Sequence, residues 1–227
     1  MMEKLTTGCE AVDRLLRGGF PLHQVNFVYG EASTGKSVLS MQCAVEAAND
    51  NLKVFYVDSD GSFSPNRFET LPVKQEAAER IVIFRPEDFR DQARITDTLE
   101  SLLTKTPTLL VIDSMTGLYR AGLGTRKEVF AYNRELNREL AYLSDLLHRF
   151  PLGLLLTGEV HSHPGLGEWV VEPVATRSLS HWSRLILRLR TTARPNVREC
   201  VLEKVDGREV LGPRAFFRIS EMGIEDA

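Results

Sequence analysis

Cysteine is scarce in this chain. Cys9, Cys43 and Cys200 lie far apart and form no C-x-x-C pair. An odd number without metal-like spacing reads as reduced thiols in a cytoplasmic protein, so neither a disulfide framework nor a cysteine-rich metal site is expected. Long hydrophobic runs are also missing, since none approaches the roughly 20 residues that a membrane span needs. The opening MMEKLTTGCE is polar and charged and does not read as a secretory leader. Charge of one sign is not in excess: 28 Lys and Arg stand against 31 Asp and Glu, a net −3. The chain as a whole therefore attracts neither DNA nor a membrane, and any nucleic-acid contact must come from a local patch. Repeats, low-complexity tracts and long linkers are absent. What is there is 227 residues, 43% hydrophobic and 26% charged, which suits one α/β domain able to bury a sizeable core.

Within that frame, GEASTGKS (Gly30–Ser37) fits G-x-x-x-x-G-K-[ST] without a mismatch. Before it, Gln24–Gly30 is a short apolar run ending in glycine, which reads as a buried strand. After it, Lys36–Ala48 carries apolar residues at helical spacing. The motif therefore sits between strand and helix, the context a phosphate loop requires. Strands are predicted at Lys53–Asp60, Arg80–Phe84, Leu109–Ser114 and Leu152–Val160. Helices are predicted at Asp88–Leu103, capped by Asp88, and at Lys127–Arg149. This alternation predicts a mostly parallel sheet with helices on both faces. Arg184–Arg190, Arg198–Lys204 and Ala215–Ile219 read as strands without long helices between them, an antiparallel extension of that sheet. The charges Arg134, Glu135, Arg138 and Glu139 on the long helix read as a solvated face with i, i+4 pairs.

Three elements make a nucleotide site. In the loop Gly30, Glu31, Ala32, Ser33, Thr34, Gly35, Lys36, Ser37 and Val38, backbone N–H groups and the helix N-terminus surround phosphates. Lys36 reaches the β- and γ-phosphates, and the Ser37 hydroxyl binds Mg²⁺. Asp113 ends a buried apolar strand, where an acid is costly without a cation or hydrogen bonds, and is placed for the Mg²⁺ sphere. Asp58 and Asp60 end the strand that follows the loop helix. Strand alternation puts both on one face, where one of them can activate an attacking water. ATP and Mg²⁺ are the implied cofactors.

The flanks of these elements carry a resemblance. TTGCEAVDRLLRGGFPLHQVNFVYGEASTGKS, IDSMTGLYR, SLSHWSRLILRLR and the tail FFRISEMGIEDA resemble the RecA/RadA recombinase family over nearly the whole chain, and the tail is similar to the short archaeal RadB-like branch. The resemblance implies a single RecA-like P-loop ATPase core over residues 1–227, starting at Leu5 with no N-terminal helical DNA-binding domain and no Phe-x-x-Ala motif before it. It implies an accessory role in DNA repair and recombination, with ATP and DNA binding, weak hydrolysis and a RadA-type recombinase as partner. Asp60 falls where relatives carry the water-activating glutamate, one methylene longer, so slow hydrolysis is expected. Glu159 falls where they carry a glutamine that senses the γ-phosphate, and Gly158 replaces an asparagine. Glu159 is then a second candidate for water activation. His181 matches a histidine that approaches the phosphates of a neighbouring protomer, which would require a homo-oligomer.

The resemblance also marks two segments as facing single-stranded DNA. In Tyr119–Lys127 the candidates are Tyr119, Arg120, Arg126 and Lys127. In His161–Ser178 they are Trp169, for base stacking, and Arg177, for phosphate, beside the opposing charges of Glu168 and Glu172. Arg184, Arg188, Arg190, Arg194 and Arg198 add positive charge, or else form a solvated strand edge. His161 and His163 form an H-x-H pair that no further ligand completes as a zinc site. Two other functions are compatible with the core: a KaiC-like signalling ATPase, and a non-hydrolysing, ATP-switched adaptor for a recombinase.

Overall fold

The computed structural model describes residues 4–164, 169–173 and 175–227, without the side chains of Arg126, 161–164, 169–173 and Thr176. In chain order, β1 (Lys4–Leu5), α1 (Glu10–Leu15) and β2 (Phe20–Pro21) form a small lead-in. Then follow β3 (Val25–Gly30), α2 (Lys36–Asn49), β4 (Lys53–Asp58), α3 (Pro65–Thr70), α4 (Gln75–Ala78), β5 (Ile81–Phe84), α5 (Phe89–Leu102), β6 (Thr108–Asp113), α6 (Gly117–Ala121), α7 (Arg126–Arg149) and β7 (Leu152–Gly158). The chain continues through β8 (Val160–Pro164), β9 (Trp169–Pro173), α8 (Thr176–Trp182), β10 (Leu185–Thr191), β11 (Val197–Val205), β12 (Arg208–Glu209), β13 (Arg214–Ser220) and β14 (Gly223–Asp226).

The main sheet runs β14-β13-β11-β10-β3-β7-β6-β4-β5, with β12 beside β11. From β10 to β5 every pairing is parallel, and from β10 to β14 every pairing is antiparallel. The inner parallel strands β3, β4, β6 and β7 are mostly apolar and almost wholly buried, because both of their faces are covered. Period-two alternation divides them: Val28, Tyr56, Val111 and Leu155 pack toward α1 and α2, whereas Phe27, Val57, Ile112 and Leu156 pack toward α5 and α7. Each fully buried Leu or Phe in these layers stabilises by about 1.5–3 kcal/mol.

Local signals set the helix ends. The Asp88 carboxylate accepts from the Asp91 N–H at 2.7 Å and starts α5. Thr125 and Glu128 form a reciprocal capping box at the start of α7, and Pro151 follows its end at Phe150.

Four expectations are corrected. The strand expected to reach Asp60 stops at Asp58, so alternation does not carry on to Asp60. The strand expected to reach Val160 stops at Gly158, and Val160 opens the β8–β9 hairpin, in which Val160 faces Pro173 and Pro164 faces Trp169. The solvated face of α7 does not include Glu139, which is 0% exposed in line with Leu136, Leu140 and Leu143. Finally, β10 is no strand edge, because β3 and β11 pair with it on either side. Its Arg188 and Arg190 meet Glu203 and Glu199 at 3.9 and 4.0 Å, and Arg184 donates to the Asp206 carbonyl.

Candidate nucleotide site

The phosphate loop bridges the end of β3 and the start of α2. Gly35 caps the helix with φ 98°, in the left-handed region, where a Cβ would also lie 2.8 Å from Ile219 Cδ1. At Gly30 a Cβ would lie 2.4 Å from the Leu189 carbonyl oxygen, so the neighbouring strand admits only glycine there. Lys36 Nζ donates to the carbonyls of Gly30 and Glu31, both at 2.9 Å, which folds the amine back over the loop. Burial pushes the Lys36 pKa down, and the charges of Asp113, Glu159 and Asp60 oppose that shift. From the far side, Arg198 of β11 donates to the Ser33 carbonyl at 3.1 Å.

Asp113, at the end of β6, is 1% exposed. The hydroxyls of Tyr56 and Ser62 donate to its Oδ2 at 2.8 and 3.0 Å, and Thr157 donates to Oδ1. Ser62 Oγ also lies 3.1 Å from Ser37 Oγ. Ser37, Ser62 and Asp113 thus present only oxygen donors on one side of the loop. That donor set fits a hard cation such as Mg²⁺.

Asp58 and Asp60 part company. Asp58 is buried. Its Oδ1 accepts from the N–H groups of Ser62 and Phe63 at 2.8 and 3.1 Å, and its Oδ2 lies 3.3 Å from Arg85 Nε. It shapes the loop that delivers Ser62 and does not point into the site. Asp60 sits at the rim with its carboxyl turned inward against Gly117, where a Cβ would overlap Asp60 Oδ1. Burial raises the Asp60 pKa, a hydrogen bond with Ser114 opposes this, and the charges of Asp113 and Glu159 add to it.

Glu159 follows β7. Its N–H donates to Thr116 Oγ1 at 3.0 Å, and its Oε2 lies 2.9 Å from Arg120 Nη2 on α6. The residue expected near the γ-phosphate and a residue expected to meet DNA are therefore ion-paired. Tyr119 is placed differently from expectation. It is 4% exposed, packs edge-on against Phe89, and donates to Asn133 Oδ1 at 2.8 Å. That burial leaves the Tyr119 ring no exposed face to offer the expected DNA contact. Lys127 and Arg177 are exposed. His181 is exposed on α8 with its ring edge-on to Trp182. The side chains of Arg126, Trp169, His161, His163 and Glu172, and all of Glu168, lie outside the described residues. Among the described residues no group of three or more His, Cys, Asp or Glu could hold a metal ion, and no helix is long and apolar enough to cross a membrane.

Sequence reasoning missed Ser62, Tyr56, Thr157, Ser114 and Gly117. Ser62 and Ser114 lie within a few residues of acids already singled out, which is a usable signal. Tyr56 and Thr157 also lie two residues before singled-out acids, but they meet Asp113 across strands, a pairing that the local sequence does not show.

Known proteins match the chain over nearly its whole length. The Rad51 family model matches residues 1–227. The DNA repair and recombination protein RadB of Thermococcus kodakarensis is 35% identical over 227 residues, covering 98% of this chain and 99% of that protein. RadB of Pyrococcus furiosus is 33% identical over 229 residues, covering 99% and 96%. A solved structure described as the crystal structure of the RadB recombinase superposes with a TM-score of 0.81 at 32% identity, over 98% of this chain and 99% of that one.

Proposed function

This chain belongs to the Rad51 family and, within it, to the RadB DNA repair and recombination proteins, and on that premise we propose that it is a nucleotide-switched accessory to a RadA-type recombinase, binding Mg-ATP and single-stranded DNA in the cytoplasm. In this reading Gly30–Val38 cradle the phosphates. Ser37 and Asp113, with Ser62 between them, would hold Mg²⁺, which neutralises phosphate charge when bound. Asp60 accepts the proton of the attacking water. Its side chain is one methylene shorter than a glutamate, which sets the carboxylate back from the water, so turnover is slow.

The observation that carries the switch is the Arg120–Glu159 ion pair. A γ-phosphate arriving beside Lys36 brings negative charge toward Glu159, which repels the carboxylate and competes for the guanidinium. Losing the pair changes what Arg120 offers to a DNA phosphate. Nucleotide state and DNA affinity are then coupled through one contact.

The test is fluorescence anisotropy of labelled single-stranded DNA, with and without Mg-ATP, across a salt series. Binding should tighten with Mg-ATP and weaken steeply with salt. Glu159→Gln should bind without nucleotide about as the wild type does with it. Absence of binding at low salt in both states would remove DNA from the assignment.

A further inference from the structure

A carboxylate used by none of these roles is sealed in the core beneath the site. Glu139 lies between α5 and α7 with 0% exposure. The Thr96 hydroxyl donates to its Oε1 at 2.6 Å, and Gln92 Nε2 lies 3.3 and 3.4 Å from its two oxygens. The other end of the same amide, Gln92 Oε1, accepts from the Ser59 hydroxyl at 2.8 Å. Ser59 is itself buried, its N–H donates to the Asp113 carbonyl at 2.8 Å, and Asp60 is the next residue. A continuous buried chain of polar groups thus runs from α7 to the residue beside Asp60.

A leucine would suit this position better for stability alone. Leu136, Leu140 and Leu143 surround it on its own helix, and an ionisable group without a cation partner is costly to bury. We propose that Glu139 is a positioning residue for Asp60, acting through Gln92 and Ser59 to hold the turn that carries the Asp60 carboxyl against Gly117. The proposal rests on the hydrolytic reading of Asp60 given above.

The chemistry of the chain is directional. An ionised carboxylate only accepts hydrogen bonds, so it draws the Gln92 NH₂ and leaves the amide oxygen for Ser59. A protonated Glu139 can donate to that oxygen instead. The amide then turns over and presents NH₂ to Ser59, which loses the acceptor for its proton. Burial pushes the Glu139 pKa up to about 7, with the hydrogen bonds from Thr96 and Gln92 opposing, so this exchange falls near neutrality. The charged groups that act on it are Glu135 and Arg138 on its own helix, and Arg138 in turn grips Asp97 of α5 at 2.9 Å. Glu135 raises the Glu139 pKa and Arg138 lowers it.

The experiment compares wild type, Glu139→Gln, Ser59→Ala and the double variant between pH 6 and 8.5. It measures single-turnover hydrolysis of Mg-ATP, binding of a fluorescent ATP analogue, and hydrogen exchange of the 58–63 backbone amides. Each single variant should lower turnover on the order of tenfold while leaving nucleotide affinity unchanged. The double variant should fall no further, because the three residues act in series. The wild-type rate should climb through about pH 7 as Glu139 ionises, and Glu139→Gln should lose that limb. Exchange at Ser59 and Asp60 should quicken in both single variants. Unchanged turnover in Ser59→Ala, additive losses, or the same pH limb in Glu139→Gln would overturn the proposal. If the wild type hydrolyses no ATP, the hydrolytic reading fails by itself, and unchanged exchange in the two single variants then overturns the positioning role separately. Ser59→Ala removes one hydroxyl outside α5 and α7 and leaves the leucines packed between them in place, so it keeps the test decisive where Glu139→Gln folds poorly.

Discussion

At the scale of single residues, one carboxyl group bears on both stability and activity. Below about pH 4.5 Glu139 is protonated in the folded and the unfolded chain and does not affect their balance. As pH rises, the unfolded chain releases this proton first, because burial holds the folded pKa up to about 7. Stability is therefore lost with rising pH through that window, and the penalty levels off above pH 7 at roughly 3 kcal/mol. Glu139→Gln should remove this slope. Its melting temperature should match that of wild type near pH 4.5 and exceed it increasingly up to pH 7, which differential scanning calorimetry across pH would measure. A variant that is more stable yet slower at hydrolysis would be the expected signature of a residue kept for a site and not for the core. The reading of α7 as a solvated charge stripe failed here because Glu139 is buried among leucines by its helical register, and a carboxylate gives no sign in sequence of which face it occupies.

At the scale of elements, α7 connects the loop that follows α6 to the base of the sheet. Its first turn depends on the Thr125–Glu128 capping box, and its body on Leu136, Leu140, Leu143 and Leu147 at 0–3% exposure. Thr125→Ala should cost about 1 kcal/mol of global stability in urea titration. It should also quicken hydrogen exchange in residues 126–130 before any change appears in 136–147, because the buried leucines hold the rest of the helix. This element was legible in sequence to within one residue at its start, since cap, apolar period and Pro151 are all local signals. The β8–β9 hairpin was read as part of a strand and then a loop. Its pairing joins Val160 to Pro173, a contact that no short window contains.

At the scale of the whole molecule, the site exists because strands run parallel. The phosphate loop follows β3, Asp60 and Ser62 follow β4, Asp113 ends β6 and Glu159 follows β7, so residues more than a hundred positions apart gather at one edge of the sheet. The antiparallel extension supports that edge, since Ile219 and Phe217 of β13 lie against Gly35. Removing residues 214–227 should expose the β11 edge and the base of the loop. Such a chain should lose cooperative thermal unfolding and Mg-ATP binding together. A truncated chain that still binds Mg-ATP with wild-type affinity would show that the loop is self-sufficient.

The sequence by itself determined the phosphate loop, the acid that ends β6, the alternation of strands and helices, and the family, because each is carried by contiguous residues whose conformation is locally favoured. Tertiary structure decided the rest. It turned Asp58 toward Arg85 and Asp60 toward Gly117, buried Tyr119, tied Arg120 to Glu159, and set Glu139 in line with Ser59. These outcomes depend on which strand ends meet and which helix face is covered, and both follow from long-range packing that neighbouring residues do not encode.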